Sequence, residues 1–83
     1  MQVQVRFFAS IREAVGTSTL LVQTRATTVG ILRDELIAKG QDWAEALARG
    51  KAVRASLNQT MVDETAALSD GCEVAFFPPV TGG

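Results

Sequence analysis

The sequence contains no histidine and no tyrosine. Histidine is the side chain whose charge changes nearest neutral pH, so a chain without it lacks the usual general acid or base. A self-contained hydrolase or metalloenzyme is therefore not expected, and no metal ligands are assigned. Cysteine is almost absent as well. The single Cys72 excludes an intrachain disulfide and any zinc site assembled from cysteines of this chain. Net charge is also missing: eight Lys and Arg against nine Asp and Glu leave −1, without the basic field on which nucleic-acid binding depends. No nucleic-acid partner is expected. No apolar run approaches the roughly 18 residues of a membrane span. The amino terminus also lacks the basic-then-apolar layout of a secretion signal. The expectation is a soluble, cytoplasmic protein with no membrane partner. Finally, there are only two prolines, and they stand side by side as Pro78-Pro79.

What remains is globular in character, with 47% hydrophobic and 20% charged residues over 83 positions. That length predicts one domain, in which about 60 to 65% of the unfolded surface can be buried. One core and one site are what such a chain has room for.

The most informative stretch is the last, Glu73-Val-Ala-Phe-Phe-Pro-Pro-Val-Thr-Gly-Gly83. Cys72 to Phe77 alternate with the two-residue period of a strand, and Pro78-Pro79 then remove two backbone donors and fix φ. Sheet pairing is predicted to stop there. The reading divides the chain into a domain over residues 1–77 and an extended, flexible tail over 78–83. Gly82 and Gly83 have no side chain to bury, and a packed domain has little use for them at its end. Glycine does allow a chain to enter a channel too narrow for a Cβ. Fraying of any terminus is the plainer alternative.

Upstream, residues 2 to 8 read as a strand with Val3, Val5 and Phe7 on one face and Gln4, Arg6 and Phe8 on the other. Ser10 and Glu13 match a capping box, predicting a short helix over 11–15 that ends at Gly16. Residues 19 to 24 are predicted to return antiparallel to the first strand. Thr28 suits the N-cap of a helix over 29–39, with Val29, Leu32 and Leu36 as its apolar stripe and Gly40 as its stop. A weaker helical stretch holds Trp43 and Leu47 and ends at Gly50. Trp43 reads as core or half-core, with ligand stacking as the alternative. Val53, Ala55 and Leu57 form a further strand, Asn58-Gln59 a turn, and residues 60 to 62 the returning strand. Asp63 to Leu68 is a polar connection and Asp70-Gly71 a turn before the last strand.

One main helix between a hairpin and later strands is best placed on one face of a mixed sheet, with first and last strands parallel at its centre. The predicted class is therefore α+β, the β-grasp of ubiquitin-like domains. If Val3, Val5 and Phe7 face the helix with Val74 and Phe76, then Phe8 and Phe77 emerge together on the opposite face. Such an apolar patch usually marks a partner site. Loops around Met61 or Trp43 could cover it instead.

A free terminal carboxylate, with a pKa near ~3.5, is a poor acyl donor. It needs an ATP-dependent adenylating enzyme to form a mixed anhydride. A sulfur donor can then replace AMP to give a nucleophilic thiocarboxylate, which a tail would position in a partner's pocket. The same activated carboxyl could instead acylate a lysine and mark a protein. Gly-Gly alone does not separate these outcomes.

Several stretches together carry a resemblance over essentially the whole chain. They are Phe7-Phe8-Ala9 with Arg12-Glu13 and Gly16, the middle stretch Val53 to Val62 with Asn58-Gln59-Thr60, Asp70-Gly71, and the ending Phe76-Phe-Pro-Pro-Val-Thr-Gly-Gly83. The chain resembles the small, sulfur-carrier subunits of molybdopterin synthase. The resemblance implies a heterotetramer of two small and two large catalytic subunits, with positions matching Phe8, Met61 and Phe77 at the interface. It implies that Pro78, Pro79, Val80, Thr81 and Gly82 insert into the large subunit. Gly83 would be adenylated, converted to thioglycine, and give its sulfur to cyclic pyranopterin monophosphate. The chain itself would bind no cofactor, and ATP would be used by the activating enzyme. The sulfur donor would be a sulfurtransferase or a cysteine desulfurase. In that family a polar residue is expected where Cys72 stands; a buried or edge thiol is the reading here. Three other functions share parts of this signal: a protein modifier conjugated through Gly83, a thiamine-pathway sulfur carrier, and a binding module with an idle tail. The double phenylalanine and double proline argue against the thiamine carrier.

Overall fold

The computed structural model describes residues 1–79. Its elements follow in the order β1 (Gln2–Phe7), α1 (Ala9–Val15), β2 (Thr19–Gln23), α2 (Val29–Ile37), α3 (Gln41–Leu47), β3 (Arg54–Leu57), β4 (Thr60–Val62) and β5 (Glu73–Phe77). The strands form one sheet in the order β2-β1-β5-β3-β4. β1 and β5 pair in parallel at its centre, with Val5 opposite Val74 and Phe7 opposite Phe76. Every other pairing is antiparallel. This is the β-grasp arrangement.

Alternation puts one set of side chains under the helices. Val3, Val5 and Phe7 of β1, Val74 and Phe76 of β5, and Ala55 of β3 join Val29, Leu32 and Leu36 of α2 and Leu47 of α3 in a single core. Phe7 stacks 6.4 Å from Phe76 and meets the edge of the half-buried Trp43 at 5.4 Å. Trp43 is thus core packing. Complete burial of one such phenylalanine is worth about 1.5 to 3 kcal/mol.

Local chemistry explains most of the boundaries. Thr28 caps α2, its Oγ1 accepting from the Ile31 N–H at 3.2 Å. The next two donors go to the segment after β4, Val29 N–H to the Ala66 carbonyl at 3.1 Å and Gly30 N–H to the Glu64 carbonyl at 2.9 Å. A Cβ at Gly30 would stand 3.1 Å from the Glu64 Cβ, so glycine permits this approach. The connection expected merely to be polar therefore seals the helix start. At the β3–β4 turn Asn58 and Gln59 both take positive φ, 50° and 70°, as a two-residue hairpin loop matched to strand twist requires. The Asn58 Oδ1 also accepts the Glu73 N–H at 3.0 Å, tying the turn to β5.

Two expected helix signals are corrected. Ser10 and Glu13 form no capping box. α1 starts at Ala9, directly off the strand, with Phe8 in the N-cap position and no side-chain cap. The Phe8 N–H is held by the Phe76 carbonyl at 3.2 Å, and the Phe8 carbonyl receives the Arg12 N–H at 3.3 Å. Sheet pairing thus sets the helix start before Ser10 can. The chain turns at Ala9 with φ 53°, at a cost of about 1 to 2 kcal/mol for a residue with a Cβ. Gly40 is not the stop of α2, which ends at Ile37. It is the N-cap of α3, and its carbonyl receives the Ala44 N–H at 2.9 Å.

The sequence reading also missed a buried arginine. Arg33 lies within α2 at 4% exposure. Its guanidinium donates to the Leu47 carbonyl (2.7 Å), the Ala48 carbonyl (2.7 Å) and the Glu64 carboxylate. Glu64 also takes Arg49, which pairs with Asp34 at 2.8 Å. Burial, followed by the neighbouring Arg49 cation, pulls the Arg33 pKa below its ordinary value. The network fastens α2, the end of α3 and the segment after β4 together, all on the helical side.

Candidate functional site

The other face of the sheet has no helix over it. The registers arrange its side chains in rows across the strands. One row runs Leu21, Gln4, Glu73. The next runs Thr19, Arg6, Ala75, Ser56, Met61. The third, nearest the tail, runs Phe8, Phe77, Arg54. Strands lie about 4.8 Å apart, so Met61 sits about 10 Å across the sheet from β5. Phe8 is 38% exposed, Met61 54% and Leu21 65%.

Phe8 and Phe77 touch edge to face, their ring centroids 6.4 Å apart. Arg6 lies 5.4 Å over the Phe8 ring and reaches the Glu73 carboxylate at 3.8 Å. Arg6 thus packs over Phe8 on one side of the pair, and Phe8 stays 38% exposed. Strand alternation, given a parallel pairing of first and last strands, had placed Phe8 and Phe77 together, and the structure does bring them together. Met61 shares their face but not their contact. The loops around Met61 and Trp43 do not close over the aromatic pair. Arg54 and Leu21 belong to the same face and were not singled out in the sequence; Arg6 had been placed there by alternation, but without a role.

Row three leads straight out of the fold. Phe77 ends β5, and the half-buried Pro78 and Pro79 follow. On the helical side, Pro78 borders a pocket of about 230 Å³ lined also by Ile11, Ala46, Lys51 and Val53. The remaining positions assigned to the tail, Val80, Thr81, Gly82 and Gly83, the last expected to be the reactive one, lie outside the described residues. Cys72 is buried at 3% exposure just before β5, and its carbonyl accepts the Gln4 N–H at 3.0 Å. It is the buried thiol expected. Among the described residues no three or more Cys, Asp or Glu side chains gather as metal ligands would, and no helix is long and apolar enough to cross a membrane.

What this face and exit amount to is sharpened by likeness to known proteins. A model of the ThiS family matches residues 5–83. The molybdopterin synthase sulfur carrier subunit of Escherichia coli K12 is 49% identical over 81 residues, covering 98% of this chain and 99% of that one. Its counterpart from Haemophilus influenzae is 43% identical, covering 95% and 96%. Among solved structures, the complex of subunits 1 and 2 of molybdopterin-converting factor from Helicobacter pylori contains a chain that superposes with a TM-score of 0.70. That chain is 28% identical, with all of both chains covered. A match that enters within β1, crosses the bare sheet face and continues through both terminal glycines leaves no element of the fold outside it: the chain belongs to the ThiS family.

Proposed function

We propose that this chain is the sulfur-carrier subunit of a molybdopterin synthase. It catalyses nothing alone. Gly83 is adenylated at its carboxylate by an ATP-dependent activating enzyme, and a sulfur donor displaces AMP to leave a thiocarboxylate. The tail, Pro78 to Gly83, then enters the large subunit, where the thiocarboxylate sulfur attacks cyclic pyranopterin monophosphate. The observation that carries this reading is the 49% identity to a sulfur carrier subunit over nearly both full lengths.

The geometry supports the same division of labour. An acyl group that must be charged by one protein and discharged in another has to project beyond any packed surface, and two prolines after β5 prevent the tail from extending the sheet. The pair of partly exposed Phe8 and half-buried Phe77 beside its root gives a partner an apolar anchor. Docking there fixes where the tail begins, so the reacting sulfur is delivered at high effective concentration. Met61 widens the same docking surface.

The test is intact mass. Incubated with the activating enzyme, ATP and a sulfur source, the protein should gain one oxygen-for-sulfur exchange at Gly83. An unchanged mass after demonstrated adenylation would refute the reading. If Gly83 were instead recovered joined to lysine side chains in cells, conjugation would be its function.

A further inference from the structure

On the bare face two arginines stand beside the aromatic pair, and they differ in one respect. Arg6 is already neutralised, 3.8 Å from the Glu73 carboxylate. Arg54 is exposed and sits opposite Phe77 in the β3–β5 register, at the end of the Phe8–Phe77 row. Among the described residues it makes no ion pair, as is also true of Arg12 on α1 and Arg25 after β2, whereas Arg6, the other arginine beside the aromatic pair, meets a carboxylate. A protein that covers Phe8 and Phe77 must also cover or closely border the guanidinium beside them. Removing an unpaired cation from water is unfavourable unless the partner supplies an anion. The planar guanidinium is best matched by a carboxylate, which it can grip through two parallel N–H donors.

We propose that Arg54 is a specificity residue of the docking face, and that the tail-receiving partner places an Asp or Glu carboxylate against it where the tail leaves the sheet. This rests on the reading above that the face docks a large subunit. Arg54 then fixes which way the partner sits across the Phe8–Phe77 row, since one charge at one end makes the row asymmetric. It also favours encounter with an acidic patch and discriminates against basic ones.

The test measures binding of the full chain to the purified large subunit at about 50 mM and about 500 mM salt, either side of the range where surface charges become screened. Wild type is compared with Arg54→Leu, Arg54→Lys and Phe77→Ala, each checked for unchanged thermal unfolding. Arg54→Leu keeps the apolar stem and loses the charge. It should bind about tenfold more weakly at low salt, with the gap closing at high salt, and Arg54→Lys should fall between it and wild type. Wild-type affinity of Arg54→Leu at low salt would overturn the proposal, as would a loss that salt does not change. The docking reading fails separately, by Phe77→Ala binding as wild type does.

Discussion

The two faces of this sheet are built from the same strands and differ only in which alternate residue each receives. On the inner face Val3, Val5, Phe7, Val74 and Phe76 are almost wholly buried. On the outer face Phe8, Met61 and Leu21 keep 38%, 54% and 65% of their surface exposed. Phe76 and Phe77 are neighbours in sequence, identical in chemistry and opposite in surroundings. Their contrast teaches that hydrophobicity in a strand does not by itself report folding. A phenylalanine under the helices stabilises the fold, whereas one on the bare face is available to another molecule.

The largest expected effect lies beyond both faces. A chain carrying one extra residue after Gly83, not trimmed by the host, should lose sulfur transfer entirely while its thermal unfolding stays unchanged. Retained cofactor synthesis would mean that the carboxylate of Gly83 is not the working group. Next, Phe76→Ala removes a fully buried ring that stacks on Phe7 beneath the helices, and should cost about 3 to 5 kcal/mol of stability in denaturant unfolding. The matching change one residue later, Phe77→Ala, should leave unfolding within about 1 kcal/mol and weaken large-subunit binding by about 2 kcal/mol or more. If both variants lost mainly stability, the distinction between the faces would collapse. The smallest effect concerns Asp63, whose carboxylate accepts the Thr65 hydroxyl and, at 2.8 Å, the Thr65 N–H. These bonds hold its pKa below the ordinary 3.8, the hydroxyl contributing most. Its stabilisation is thus complete above about pH 3.8 and fades as pH falls through the lower folded value. NMR titration should find the midpoint depressed, and Thr65→Ala should move it back upward.

Much of this was legible in the chain because strands announce their faces. Connection rules paired β1 with β5, and period-two alternation in residues 2–8 and 72–77 then set Phe8 beside Phe77. Thr28 was readable because a hydroxyl before an apolar helical stripe has one obvious use. Ser10 offered the same local signal and misled, since the Phe76 carbonyl, distant in sequence, holds Phe8 and fixes the helix start first. Gly40 misled in a related way, because the α2 and α3 ends lie so close that its place was ambiguous. Arg33 was unreadable for a stronger reason. A cation inside an apolar helix stripe makes sense only once Glu64, 31 residues away, and the carbonyls after α3 fold against it. The proposed interface residues required the resemblance as well as the pattern, since alternation shows which face a side chain takes without showing what meets it.

The central position of β5 has a consequence for biosynthesis. Until residues 73–77 leave the ribosome, β1 and β3 each present an unsatisfied edge with a gap between them, and the hairpins on either side cannot join. Closure therefore waits for nearly the whole chain, and nascent fragments remain open to proteolysis. The segment that completes the sheet is also the one that continues toward the glycines, so the strand closing the fold and the tail of the proposed function are made last and together.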